Sequence, residues 1–221
     1  MQGWAVDVLF EDNDILVINK PAGLQSTTPR FGGPSVILKA RERSSAAHLV
    51  HRLDRDTSGL MVVGLTPLAL SHLNRQFRER RVKKIYQALV GQGVSPLPSQ
   101  IDLPLAPHRL QRPRQILAFG RGKPSQTRLV AVEQVDVSQG VIHSALDERC
   151  VRRVTIELIT GTRHQIRAHL AMVGAPILGC DLYAPEPVER AVDRLMLHAQ
   201  RLEFEHPVSK SPLVFEALAP F

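Results

Sequence analysis

Residues 51–59 read His-Arg-Leu-Asp-Arg-Asp-Thr-Ser-Gly, so Asp54 stands between Arg52 and Arg55 just ahead of a Thr-Ser-Gly turn. A carboxylate that works without a metal, as nucleophile or base, has to be anionic, and a nearby guanidinium favours that form. Further along, Arg163 and Arg167 are four residues apart, on neighbouring faces of one helix turn, and are also available to a carboxylate. The same residue types serve equally in a structural ion pair, and the local pattern leaves both uses open for Asp54.

Other chemistries are suggested by residue type and fail on spacing. A nucleophile elbow needs glycine two residues to either side of its serine, whereas Asp56 and Leu60 flank Ser58 at those places. The Thr57 and Ser58 hydroxyls suit bonds to their own backbone. His48 and His51, and likewise His164 and His169, come with no HExxH pattern and no cysteine partner, so no metal site is expected. Gly122-Lys123 is followed by Pro124 where a phosphate loop carries Ser or Thr, which removes a nucleoside-triphosphate site. What stands out instead is cationic: Arg75, Arg78, Arg80, Arg81, Lys83 and Lys84 against Glu79, then Arg109, Arg112, Arg114, Arg121 and Lys123. The first group reads equally as a solvated helix face or as a surface for phosphates.

These residues need elements to hold them. Val6 to Phe10 and Ile15 to Ile18 flank a turn-rich Glu-Asp-Asn-Asp patch and predict a hairpin. Gln25 to Ser35, rich in Thr, Pro and Gly, predicts an exposed loop able to close over a ligand. Leu60 to Leu65 predicts a buried strand, and Thr66-Pro67 supplies the N-cap and first residue of an amphipathic helix with Leu70, Leu73 and Phe77 on its apolar stripe. Ile85 to Val90 and Arg128 to Val132 predict strands, with Ser95 to Gln126 between them read as an insertion of undefined secondary structure. Val154, Ile156 and Leu158 alternate as in a strand with one face in the core. From His164 the pattern turns helical, with Ile166, Leu170 and Val173 on one stripe and Gly174 and Pro176 closing it. Leu195 to Ala199 and Val214 to Ala217 predict closing strands around a His206-Pro207 turn. Together these give an α+β domain over residues 1–221, a mixed, largely antiparallel sheet flanked by helices and loops.

With 221 residues, 43% of them hydrophobic, one sizeable core is expected. The formal charge of +7 favours polyanionic partners. Cys150 and Cys180 lack disulfide-framework or zinc spacing and read as free thiols of a reducing compartment. With no leader-like start and no membrane-length apolar run, a soluble cytoplasmic protein is expected.

Residues 51–60 are similar to the HRLDxxTSGL signature of the RluA family of RNA pseudouridine synthases. Asn19-Lys20-Pro21-Ala22-Gly23-Leu24 resembles the family's KPxG segment, Lys84-Ile85-Tyr86 its K-x-Y strand, Gly161 to Leu170 its HQIR helix, and Arg194 to Ala199 with His206-Pro207 its C-terminal pattern. The five follow one another in the family's order. Two places depart from it: Gly161-Thr162-Arg163 where GRT is commoner, and Gly179-Cys180-Asp181-Leu182-Tyr183-Ala184 in place of GDxxYG. The chain resembles the short members without an S4-like domain, in which the catalytic domain itself grips RNA.

The resemblance implies isomerisation of uridine to pseudouridine in a structured RNA, a ribosomal or transfer RNA stem-loop. No cofactor, metal, membrane or DNA partner is expected, and a monomer is the default. Asp54 matches the catalytic aspartate, Tyr86 the tyrosine expected to stack on uracil, and Arg167 the arginine that pairs with the carboxylate. Leu197 lines the uracil pocket or serves packing alone. Arg52 matches the arginine that fills the gap left by a flipped base. RNA contacts are expected from Arg52, Arg55, Arg75, Arg78, Arg81, Lys84, Arg163 and His164. Asp54 would attack C1′ or stabilise its positive charge, as in glycoside cleavage, with abstraction of a C2′ proton as the competing route. The rival reading is an RNA chaperone or ribosome-assembly factor of the same fold, indifferent to Asp54→Asn.

Overall fold

A computed structural model describes residues 6–91, 96–135, 142 and 151–221. Cys150 and Ser95 therefore lie outside the described residues. The chain groups into two compact units, residues up to Lys84 with His198–Ala219, and Ile85–Leu197 with Pro220–Phe221.

The first unit opens with the expected hairpin, β1 (Asp7–Glu11) antiparallel to β2 (Ile15–Lys20). Its turn is set by Asp12, whose carboxylate accepts from the N–H groups of Asp14 and Ile15. After the 25–35 loop comes a short helix that periodicity does not announce, α1 (Val36–Arg41), N-capped by Ser35. Then follow β3 (His48–Leu49), β4 (Ser58–Gly64), whose seven residues are all buried, and α2 (Pro67–Arg78). Thr66 caps α2 as expected, its hydroxyl accepting from the Ala69 N–H at 3.2 Å. The predicted stripe of α2 faces the core through Leu73 and the half-buried Phe77, with Leu70 half-buried, and the covered face also takes in Ala69 and Gln76. Gln76 belongs there because its amide pairs with both the N–H and the C=O of Glu205, at 2.9 and 2.8 Å. A buried polar side chain with both groups satisfied costs little.

The chain passes into the second unit within β5 (Lys83–Val90) and continues through β6 (Gln100–Asp102), β7 (Leu105–Pro107), β8 (Gln115–Leu117), β9 (Gln126–Gln134) and β10 (Arg152–Leu158). Helix α3 (Gln165–Met172) and the one-turn α4 (Glu186–Glu189) follow. The stretch read as an insertion thus contributes strands: β6 extends the antiparallel order β5-β10-β9-β6, and β7 and β8 form a separate hairpin. Helix α3 ends as predicted, with Gly174 at φ +76° and the Ala175 N–H returning to the Leu170 carbonyl.

The chain returns with β11 (Leu197–Glu205) and β12 (Pro212–Glu216). In the first unit β4 lies between β2, antiparallel, and β11, parallel, and β12 pairs with β11, which makes the sheet mixed. Ile15, Val17, Leu60, Val62, Leu73, Leu202 and Phe204 form the core of this unit. It anchors β4 directly behind the 51–57 loop.

Candidate active site

Asp54 is half-buried in the loop between β3 and β4, and its backbone is fixed on both flanks by the segment after β2. On one side the Ser26 hydroxyl donates to the Leu53 carbonyl at 2.7 Å and accepts from the Leu53 N–H at 3.2 Å. On the other, the fully buried Lys20 ammonium donates to the carbonyls of Arg55, Pro21 and Leu24 at 2.8–2.9 Å, and the Gly23 N–H adds a second bond to the Arg55 carbonyl. Neither residue was legible as a support, because each acts through backbone atoms about thirty positions away. The result is a backbone pinned on both sides of Asp54.

Behind the same loop, His51 stacks on Phe77 with ring centroids 4.7 Å apart, and its Nε2 accepts from the Val62 N–H at 3.0 Å. Burial, helped by the charge of Lys84, holds the imidazole down to about 3, so His51 is neutral and fixes the loop instead of shuttling protons. Its pKa in the unfolded chain is near 6.5, so the unfolded state binds the extra proton first and stability is lost as pH falls from about 6.5 toward 3. His51→Gln keeps an acceptor near the Val62 N–H without a titratable group. Its unfolding free energy should be flatter than wild type between pH 6.5 and 4, measured by urea denaturation; equal slopes would rule out this role. Lys84 is pushed down to about 8 by burial and then by Arg80, and an anion beside it would reverse that.

Ser58 and its partner His198 are both buried, which closes the hydroxyl to a substrate. His198 Nε2 lies 3.0 Å from the Ala217 carbonyl, to which it must donate, leaving Nδ1 to accept from the buried Ser58 hydroxyl at 2.8 Å. Gly59, at φ +114°, lies so close to β11 that a Cβ would stand 2.3 Å from the Ala199 carbonyl oxygen. Of the arginines around Asp54, Arg55 turns to Asp56 at 2.9 Å, while Arg52 is exposed. Arg75 and Arg78 are exposed on α2, and Arg81 pairs with Glu79 at 2.9 Å. Between Gln25 and Ser35, which are joined by a β-bridge, the loop holds Phe31 out into solvent, 93% exposed, with the Arg30 guanidinium over its ring.

In the second unit Tyr86 is buried on β5, opposite Ile156 of β10, and Leu197 is buried where β11 begins. The start of α3 is bolted to the sheet by Gln165, whose amide makes four hydrogen bonds: to the Gln126 carbonyl, Thr127 Oγ1, Thr160 Oγ1 and the Thr162 N–H. One turn on, His169 bridges Thr127 and the Leu103 carbonyl. Arg167, 3% exposed, is thereby set with its guanidinium bonded to the Asp181 carboxylate, within 3.4 Å of Cys180 Sγ through two nitrogens, and over the Tyr183 ring at 5.7 Å. The Tyr183 hydroxyl accepts from the Gln115 N–H at 2.7 Å and meets His164 Nδ1 at 3.1 Å. His164, expected as an RNA contact, is buried against Tyr183; Arg163 beside it is exposed.

Residues 14–172 match the family model described as RNA pseudouridylate synthase. The chain is 40% identical over 220 residues to the dual-specificity RNA pseudouridine synthase RluA of Escherichia coli K12, covering 99% of this chain and 94% of that protein. It is 36% identical over 219 residues to the enzyme of the same name from Pasteurella multocida, covering 98% and 94%. Its fold is similar to that of human RNA pseudouridylate synthase domain containing 1, with a TM-score of 0.78 and 26% identity over 98% of this chain and 84% of that one.

Proposed function

This chain belongs to the RluA family of RNA pseudouridine synthases, and on that premise we propose that Asp54 acts at C1′ of a uridine turned out of a ribosomal or transfer RNA stem-loop. The protein is an RNA pseudouridine synthase: the C1′–N1 bond breaks, the base turns, C1′–C5 forms, C5 loses its proton and N1 gains one. The observation that carries the role of Asp54 is the clamp of Lys20 and Ser26 on either side of it. A carboxylate meant only for a surface ion pair needs no such fixing; one that must meet an anomeric carbon within tenths of an ångström does.

In this reading Arg167 pairs with the Asp54 carboxylate, Tyr86 stacks on the uracil and Leu197 borders it. Exposed Arg52 fills the space the base leaves. The RNA is a structured stem-loop, the enzyme acts as a monomer, and, like the relatives named for dual specificity, it accepts uridines in more than one RNA. Arg75, Arg78, Lys84 and Arg163 hold phosphates. Phe31 offers a stacking surface to an unpaired base. Phe31→Ala should weaken RNA binding about tenfold, a base stacked on an aromatic ring being worth about 1–3 kcal/mol; unchanged affinity would remove Phe31 from the interface.

The test is tritium release from ribosomal and transfer RNA carrying 5-tritiated uridine, prepared from cells lacking this protein. Release by wild type establishes the reaction and identifies the RNA pool. No release from either pool by folded, RNA-binding protein would put the chaperone reading first.

A further inference from the structure

Within the second unit, the β7–β8 hairpin and the turn ahead of α3 enclose a cleft of about 290 Å³ whose lining includes Arg112, Lys123 and Arg163 and no acidic residue. All three cations are exposed, and none makes an ion pair or a side-chain hydrogen bond with a described residue. Two other arginines of this unit are neutralised, Arg128 by Glu157 and Arg190 by Glu186. Three like charges around one cleft repel one another unless an anion joins them.

The backbone under each cation is fixed. Lys123 exchanges two hydrogen bonds with Leu105, at 2.8 and 3.0 Å, and its neighbour Gly122 has no room for a side chain, since a Cβ would stand 2.7 Å from the Ala118 carbonyl oxygen. Arg112 lies in a loop closed by the His108 N–H to the Arg114 carbonyl at 2.8 Å. Arg163 follows Thr162, whose hydroxyl meets that of buried Ser125 at 2.8 Å and whose N–H donates to Gln165 at 3.0 Å. At Gly161 a Cβ would meet nothing within 4 Å, so the cleft is open there. Cations rooted on a fixed backbone around an open, acid-free cleft can converge on an anion.

We propose that this cleft is a phosphate subsite that holds one backbone phosphate of the substrate RNA. The inference rests on the RNA-modifying reading and deepens it. Gln115, which also lines the cleft, and His164, next to Arg163, both bond the Tyr183 hydroxyl, and the Tyr183 ring lies under Arg167. A phosphate seated here registers the RNA against the part of the structure that orients Arg167. The reversed Gly161-Thr162-Arg163 order acquires a purpose, since Arg163 supplies one side of the cleft.

The test compares the full chain carrying Arg112→Ala, Lys123→Ala and Arg163→Ala with a control losing the same charge through Lys39→Ala, Arg43→Ala and Arg190→Ala. Transfer RNA affinity is measured across a salt series, and tritium release at increasing RNA. The cleft variant should bind about tenfold more weakly at 0.1 M salt, with the slope of log affinity against log salt reduced by about one, as for the loss of one phosphate contact. KM should rise with kcat at saturating RNA within about twofold of wild type, as for an interaction made equally in ground and transition states. An affinity and slope equal to those of the control would overturn the subsite. Affinity is read without turnover, so a wild type that binds RNA but releases no tritium would remove the enzymatic reading while the salt series still decides for or against the cleft.

Discussion

Asp54→Asn should abolish tritium release, by at least about 1,000-fold or roughly 4 kcal/mol of transition-state stabilisation, while RNA affinity stays within about twofold of wild type. The substitution changes almost no volume, and the loop around it is held by contacts to Leu53 and Arg55 that do not involve the carboxylate. Lost instead, on the proposed role of Asp54, is the charge that attacks C1′, balances its developing positive charge or takes a proton from C2′. Asp54→Glu separates charge from position. It keeps the anion but moves it by about one bond length, and a misplacement of about 1 Å can cost about 100-fold. A ranking of wild type, then Glu, then Asn is therefore expected, read as kcat under saturating RNA. Asn within tenfold of wild type would show that the carboxylate is not the reacting group.

Much of the scaffold around that carboxylate is legible in the sequence because it is locally encoded. The 6–20 hairpin has its turn residues, β4 its uninterrupted apolar run, α2 its Thr66-Pro67 start and α3 its Gly174-Pro176 stop. Elements decided by distant partners are not. Helix α1 is only six residues long, and β6, β7 and β8 are three residues each, too short for a period to register. The α2 stripe is legible at Leu73 and Phe77, but Gln76 is not, because it is buried by its bonds to Glu205 and not by its own chemistry. The site divides in the same way. The HRLD and HQIR stretches pointed to Asp54 and Arg167, but Asp181, Cys180 and Tyr183 around Arg167 fall in the loop where the chain departs from the GDxxYG pattern. Lys20 stood in a recognisable segment, yet its charge is turned inward onto three carbonyls, which no spacing rule foretells.

Lys20→Met should accordingly damage both stability and catalysis. Lys20 has no solvent exposure, and its ammonium donates to the carbonyls of Pro21, Leu24 and Arg55. Methionine fills most of the volume but donates nothing, and a buried acceptor left without a partner costs about 1–3 kcal/mol. The Arg55 carbonyl keeps the Gly23 N–H, so the loss falls mainly on Pro21 and Leu24, for a total of about 3 kcal/mol in urea denaturation. The catalytic consequence follows from the same geometry. Without the ammonium, the residue following Asp54 is held by the Gly23 N–H alone, and kcat should fall by ten- to a hundredfold with a much smaller change in KM. Ser26→Ala releases the other flank at the cost of two bonds around Leu53 and should lower kcat in the same direction with a loss of about 1–2 kcal/mol. If the two clamps act on one loop, the double variant should lose less kcat than the product of the single losses, since either release already frees Asp54. Strict multiplication would mean that they act independently, and unchanged kcat in folded Lys20→Met would reduce the clamp to a purely structural device.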